Sequence, residues 1–208
     1  PESNSIGSGQ VLQCPYSAEK ARIVIREMAD ALALELVEKG LATDQLTLTV
    51  GYDIENIQDP ERLSRYQGEI KKDRYGRFVP KHSHGTENIG KYTSSTRKIQ
   101  DAADALFHRI VDPGLLIRRL NITANHVMSE REVPEADACE QMDLFVDYEI
   151  MQEEKRREEA EQVREKKIQS TVLDIKRKFG KNAILKGTAL EDGATSRERN
   201  QKIGGHQA

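Results

Sequence analysis

The chain has 208 residues, enough for one well-built core or for a domain with appendages. Hydrophobic residues make up 37%, charged residues 32% and aromatics 5%, a balance too polar for one compact domain of this length, so a folded module with a long exposed remainder is expected. A net charge of −3 excludes a global basic signature of nucleic-acid binding, and no run of about 18 apolar residues is present to span a membrane.

In chain order, Ser5 to Leu12 reads as a short strand with two glycines near its start, ended by Pro15. Ser17 to Lys39 reads as a helix, with Ala21, Val24, Ile25, Met28, Leu32 and Leu36 at helical spacing and Gly40 as its C-cap. Gln45 to Tyr52 alternates as a half-buried strand does: Leu46, Leu48, Val50 and Tyr52 face one way, Thr47, Thr49 and Gly51 the other. Asp53 to Gln67 is polar and irregular. Phe78 to Thr86 reads as a weaker strand, with Pro80 arguing for an edge. Ser94 or Ser95 caps a second helix that carries Ile99, Ala103, Leu106, Phe107 and Ile110 on one stripe and stops at Asp112-Pro113-Gly114. Leu115 to Val127 is the last strand, with Leu120, Ile122 and Ala124 on one side and Arg119, Asn121 and Thr123 on the other.

This order predicts an α+β fold, the split β-α-β-β-α-β unit: a four-stranded sheet with two helices on one face. The other face stays open and polar. Residues 1–127 form that domain. Residues 128–148 are an acidic linker, in which Glu130, Glu132, Glu135, Asp137, Glu140, Asp143 and Asp147 meet only Arg131. Residues 149–179 form a charged helix whose Ile150, Val163, Ile168, Val172 and Ile175 keep no heptad, so a single exposed helix is expected. Residues 180–208 are a polar tail. Cys14 and Cys139 make no disulfide framework and fit a reducing cytoplasm.

Chemistry concentrates between Glu69 and Lys98, where Lys71, Lys72, Arg74, Arg77, Lys81, Lys91, Arg97 and Lys98 face only Glu69, Asp73 and Glu87. Ser94, Ser95 and Thr96 add hydroxyls at a helix N-terminus, a natural phosphate binder. With Arg118 and Arg119 they suggest a phosphate-tracking surface; a solvated lysine-rich edge is the alternative. Gly85 to Lys91 matches G-x-x-x-x-G-K, but Tyr92 stands where a Mg²⁺-binding hydroxyl is needed and Glu87 would enter the cradle, so nucleotide hydrolysis is rejected. His82 and His84 alternate on a strand; two ligands make no zinc site, and His82 is read as a hydrogen-bond donor to phosphate. Gln141-Met142-Asp143-Leu144-Phe145 has the make-up of a docking peptide, with an amphipathic turn opening the next helix as its other reading.

Ser5-Ile6-Gly7-Ser8-Gly9, the split order, Thr93-Ser94-Ser95-Thr96-Arg97 and Ile117-Arg118-Arg119-Leu120 together resemble the little-finger domain of Y-family translesion DNA polymerases, in the UmuC-like (ImpB/MucB/SamB) branch. The likeness covers about the first 127 residues, and the tail matches less specifically. It implies a domain lying along a primer–template duplex and gripping backbone phosphates. Ser5, Ile6, Gly7, Ser8, Ser94, Ser95, Arg97, Arg118 and Arg119 become candidate contacts, joined by Lys81, His82 and Thr96 from the basic segment. Gln141 to Phe145 resembles the family's sliding-clamp peptide: Gln141 would bond to the clamp, Leu144 and Phe145 would fill its pocket, and Met142 departs from the more usual Leu. The chain begins at Pro1 without Met, so a fragment or processed product is expected, with the palm, fingers and thumb preceding it. No catalytic residue, metal or cofactor is expected within the chain, whereas the intact polymerase would use Mg²⁺ and dNTPs. A monomer acting in the cytoplasm is expected. An RNA-recognition-type module and a protein-interaction scaffold are the alternatives.

Overall fold

The structure, a computed structural model, describes residues 4–73, 75–133, 148–203 and 206–207. The elements run β1 (Ile6–Tyr16), α1 (Ala18–Lys39), β2 (Leu41–Tyr52), α2 (Glu55–Gln58), α3 (Pro60–Arg65), β3 (Ile70–Lys72), β4 (Phe78–Pro80), β5 (Ser83–Thr93), α4 (Thr96–Ile110), β6 (Ile117–Asn125), β7 (Met128–Ser129), α5 (Tyr148–Phe179), a 3₁₀ turn (Gly187–Leu190), α6 (Ser196–Arg199) and a two-strand pair, β8 (Lys202–Ile203) with β9 (His206–Gln207). The four long strands lie in the order β1-β6-β2-β5, all neighbours antiparallel, and β7 adds a short pairing to β2. α1 and α4 thus each connect two parallel strands that have a third strand inserted between them, the split βαβ arrangement.

The core follows from the two periodicities. Leu46, Leu48 and Val50 of β2 and Leu120, Ile122 and Ala124 of β6 are buried on the helix side. They meet Val24, Ile25, Met28 and Leu32 of α1 and Ile99, Ala103, Leu106 and Phe107 of α4. Each of the larger of these side chains, from valine to phenylalanine, contributes about 1.5–3 kcal/mol by leaving water. Ser17 caps α1 by accepting from Lys20 N at 3.4 Å, and Gly40 ends the helix at φ 64°, where only glycine is unstrained. Ser95, not Ser94, caps α4.

Four expectations are corrected. β1 continues through Pro15 to Tyr16, across a register shift between Val11 and Tyr16. This is possible because β1 is an edge strand, where a missing N–H and a bulge cost little. Residues 53–67 contain two short helices; Asp59 caps the second, with Pro60 at its first turn. The strand expected over 78–86 is two elements. Phe78–Pro80 closes a small hairpin with Ile70–Lys72, and the edge strand of the main sheet is Ser83–Thr93. His82 precedes that strand, so only His84 lies on it. The apparent phosphate loop, Gly85 to Lys91, is strand backbone of β5.

α5 is largely exposed, as so charged a helix should be, but one face docks on the domain. Gln169 is buried and donates to Ser94 O at 2.9 Å and Thr96 Oγ1 at 2.8 Å. Further on, Thr195 and Ser196 donate to the buried carboxylate of Glu27 on α1.

Candidate nucleic-acid interface

Alternation on four strands builds one open face. Its rows run Gly7, Thr123, Thr47, Thr86 and then Gly9, Asn121, Thr49, His84, each set in direct cross-strand register. A third row carries Val11, Arg119 and Gly51. The side chains hold one another. Thr47 and Thr86 hydroxyls are 3.2 Å apart, Thr49 Oγ1 is 2.9 Å from His84 Nδ1, and Asn125 Nδ2 donates to Thr47 Oγ1 at 2.7 Å. Gln45 Nε2 donates to Asn88 Oδ1 at 2.8 Å. The surface is therefore a pre-ordered lattice of hydroxyls and amides, able both to donate and to accept. Glycine keeps it low: a Cβ on Gly7 would come within 2.8 Å of Thr123 Oγ1. At one end a shallow cleft is lined by Asn4, Ser5, Gln45, Tyr92, Asn125 and His126.

The expected contact residues fall into separate groups. Ser5 lies at the cleft end of the sheet, where Ile6 pairs Ala124. Gly7 is on the open face, whereas Ile6 and Ser8 alternate with it and take the helix side. Ser94 to Arg97 are near that same end, at the start of α4. Lys81, His82, Arg118 and Arg119 are at the opposite end, where Val50 pairs Ser83 and Gly51 pairs Arg119. The two arginines part company: β6 bulges between Ile117 and Arg119, placing Arg118 Nε 3.7 Å from Asp53 Oδ2. Arg119 lies exposed on the open face and has no ion-pair partner among the described residues.

The N-terminus of α4 holds an anion, but one from this chain. Glu165 of α5 accepts from Ser95 Oγ at 2.6 Å and from Arg97 N at 3.0 Å. Arg97 also pairs with Glu161 at 3.0 Å and Lys98 with Glu158 at 2.6 Å, and the Lys98 ammonium holds the Glu158 carboxyl below the usual carboxylate range. Ser94 Oγ donates to Glu130 Oε1 at 2.6 Å, and Thr96 receives Gln169. Much of the basic segment is similarly matched, Lys71 and Lys81 with Glu69 and Arg77 with Asp73. Such exposed pairs are weak and exchangeable.

Sequence reasoning identified Thr47, Thr49, Arg119, Asn121 and Thr123 as the open face and missed Gln45, His84, Thr86, Asn88, Tyr92 and Asn125. Gln45 and Asn125 continue the outward alternation of β2 and β6, whereas β5 has Gly85 and Glu87 at inward positions and so lacks the apolar alternation that would have marked its outward row. Glu165 and Gln169 had no signal, because their roles depend on where α5 docks. Gln141, Met142, Asp143, Leu144 and Phe145 lie outside the described residues, as does Arg74. Among the described residues no three His, Cys, Asp or Glu side chains cluster to hold a metal ion. Nor is any described helix long and apolar enough to cross a membrane.

A family model described as the impB/mucB/samB family C-terminal domain matches residues 3–144. No curated protein matches the chain.

Proposed function

The chain belongs to the impB/mucB/samB C-terminal domain family, the C-terminal region of UmuC-like Y-family DNA polymerases, and from that membership we propose that its open sheet face grips primer–template DNA. The observation that carries the reading is the cross-strand lattice of Thr, Asn and His side chains with an exposed Arg119 at its end that has no ion-pair partner among the described residues. Hydroxyls, amides and glycine backbone suit phosphate oxygens and carry no base code, so binding is independent of sequence. Gly7, Thr49, His84, Arg119, Asn121 and Thr123 are the proposed contacts, with Ser5 at one end and Lys81 and His82 at the other. Ser94, Ser95, Thr96 and Arg97 serve first as the dock for α5. The region would supply DNA grip to a polymerase acting in translesion synthesis and damage tolerance, with nucleotidyl transfer done elsewhere in the protein.

Competition between primer–template DNA and single-stranded RNA tests this. DNA is expected to bind far more tightly, and preference for the RNA would overturn the reading, since RNA modules of this topology stack bases on sheet aromatics.

We further propose that Gln141 to Phe145 docks on a sliding clamp, a reading that rests on the peptide's sequence: one amide anchor, an acid and two large apolar residues after an acidic linker. A Leu144→Ala, Phe145→Ala double variant should lose clamp retention and keep its DNA affinity, because such peptides concentrate their energy in a few anchors. Clamp binding unchanged by the double variant would refute the assignment.

A further inference from the structure

The β3–β4 hairpin, residues 70–80, carries an arrangement that the open face does not use. Lys72 pairs Phe78, Lys71 pairs Val79 and Ile70 pairs Pro80. Pro80 is buried at the root, while Ile70, Phe78 and Tyr75 are progressively more exposed, at 41%, 56% and 63%. Large aromatic surface is therefore presented to water at the tip. A cation accompanies each ring: Lys72 Nζ stands 5.1 Å from the Phe78 ring centre and Arg77 Cζ 5.2 Å from that of Tyr75. The tip is held in shape. The Asp73 carboxylate accepts from Tyr75 N at 2.8 Å and Arg77 N at 3.0 Å, and Gly76 takes φ 78° to make the turn. The root is pinned by Lys81 N donating to Glu69 O at 2.8 Å and by Tyr66 Oη donating to the same carbonyl at 2.9 Å. Over 69–81 the bases Lys71, Lys72, Arg74, Arg77 and Lys81 outnumber the acids Glu69 and Asp73. The hairpin leads directly into the start of β5, the end of the sheet where Arg119 lies.

We propose that this hairpin is a stacking finger for unpaired DNA: Tyr75 and Phe78 receive base faces, and Lys72 and Arg77 meet the flanking phosphates. The inference rests on the DNA-binding reading above. An apolar protein partner would have to desolvate the cations beside both rings, which is costly. An unpaired strand offers a ring face and a phosphate at each nucleotide, whereas a duplex keeps its base faces stacked internally. Base–aromatic stacking tolerates any sequence, in keeping with a sequence-independent grip.

The experiment uses the full chain, a blunt DNA duplex, and the same duplex with a short oligothymidine extension. The extension is expected to tighten binding by the wild type. A Tyr75→Ala, Phe78→Ala variant should lose that gain, about thirtyfold or more for two stacked bases, with its blunt-duplex affinity and melting temperature unchanged. A Tyr75→Phe, Phe78→Tyr variant should retain the gain. No gain in the wild type, or a gain that survives the alanine variant, would overturn the proposal. Failure of the wild type to bind the blunt duplex would instead defeat the open-face reading, so the two failures are distinguishable.

Discussion

Ser95 Oγ donates to Glu165 Oε2 at 2.6 Å across 70 positions of sequence, and the other oxygen of that carboxylate accepts from Arg97 N at 3.0 Å. Ser95 is the N-cap of α4, so an acid from α5 completes the cap from outside the helix. Free N–H groups and the helix dipole favour negative charge at this point. The long charged helix is thereby joined to the domain where a phosphate was expected.

The cap has a measurable worth. Glu165→Ala should lower stability by about 1 kcal/mol, in the range for losing a helix cap and its charge. Glu165→Gln, which keeps an acceptor oxygen, should lose less. Thermal melts of the two variants provide the comparison; a Glu165→Ala chain melting like the wild type would show that the contact contributes nothing.

The C-terminal segment should matter more than its polar composition suggests. Glu27 is 7% exposed, and its carboxylate accepts from Thr195 N at 2.8 Å and Ser196 N at 3.1 Å. Arg199 is half-buried there, desolvation pulling its guanidinium below the usual range, and it donates to Gln10 Oε1 at 3.2 Å. Truncation after residue 181 strands a carboxylate and should cost about 3 kcal/mol. Replacing Glu27 with Leu should be less harmful in the truncated chain than in the full one. Urea unfolding of all four proteins gives the coupling; additive losses would contradict the contact.

Acid stability depends on the tie between the two long helices. Arg22 Nε donates to Asp104 Oδ1 at 2.6 Å, and this hydrogen bond holds the Asp104 carboxyl below the usual range. A depressed carboxylate stabilises the fold above its ordinary pKa, and the benefit disappears as protons are forced on. Stability should therefore fall as pH drops from about 4 towards the lowered value. Asp104→Asn should be less stable than wild type at neutral pH, with a shallower decline in that window. Parallel acid-titration curves for the two proteins would contradict the assignment.

The legible parts of the chain are those where one residue's surroundings are set by its near neighbours. The α1 stripe from Ala21 to Leu36, the alternation of β2 and that of β6 all bury the side expected of them. β5 was misplaced because its inward positions include Gly85 and Glu87. A Cβ at Gly85 would come within 2.8 Å of Ile110 Cγ2, so helix side chains fill the space that a strand hydrophobe usually takes. Glu87 is inward only at the sheet edge, where Arg109 pairs with it. The open face was legible on β2 and β6, and its β5 row was lost with that strand. The fate of Ser95 and Arg97 was not legible, because a helix N-terminus looks the same whether phosphate or a distant glutamate fills it.

Salt titration of primer–template binding examines the grip itself. Affinity of the full chain should fall linearly on logarithmic axes as salt rises, because phosphate contacts release counterions. Arg119→Ala should weaken binding similarly for all sequences and reduce that slope by about one. An affinity that stays constant from low to high salt, or a slope untouched by Arg119→Ala, would contradict a phosphate grip on the open sheet face.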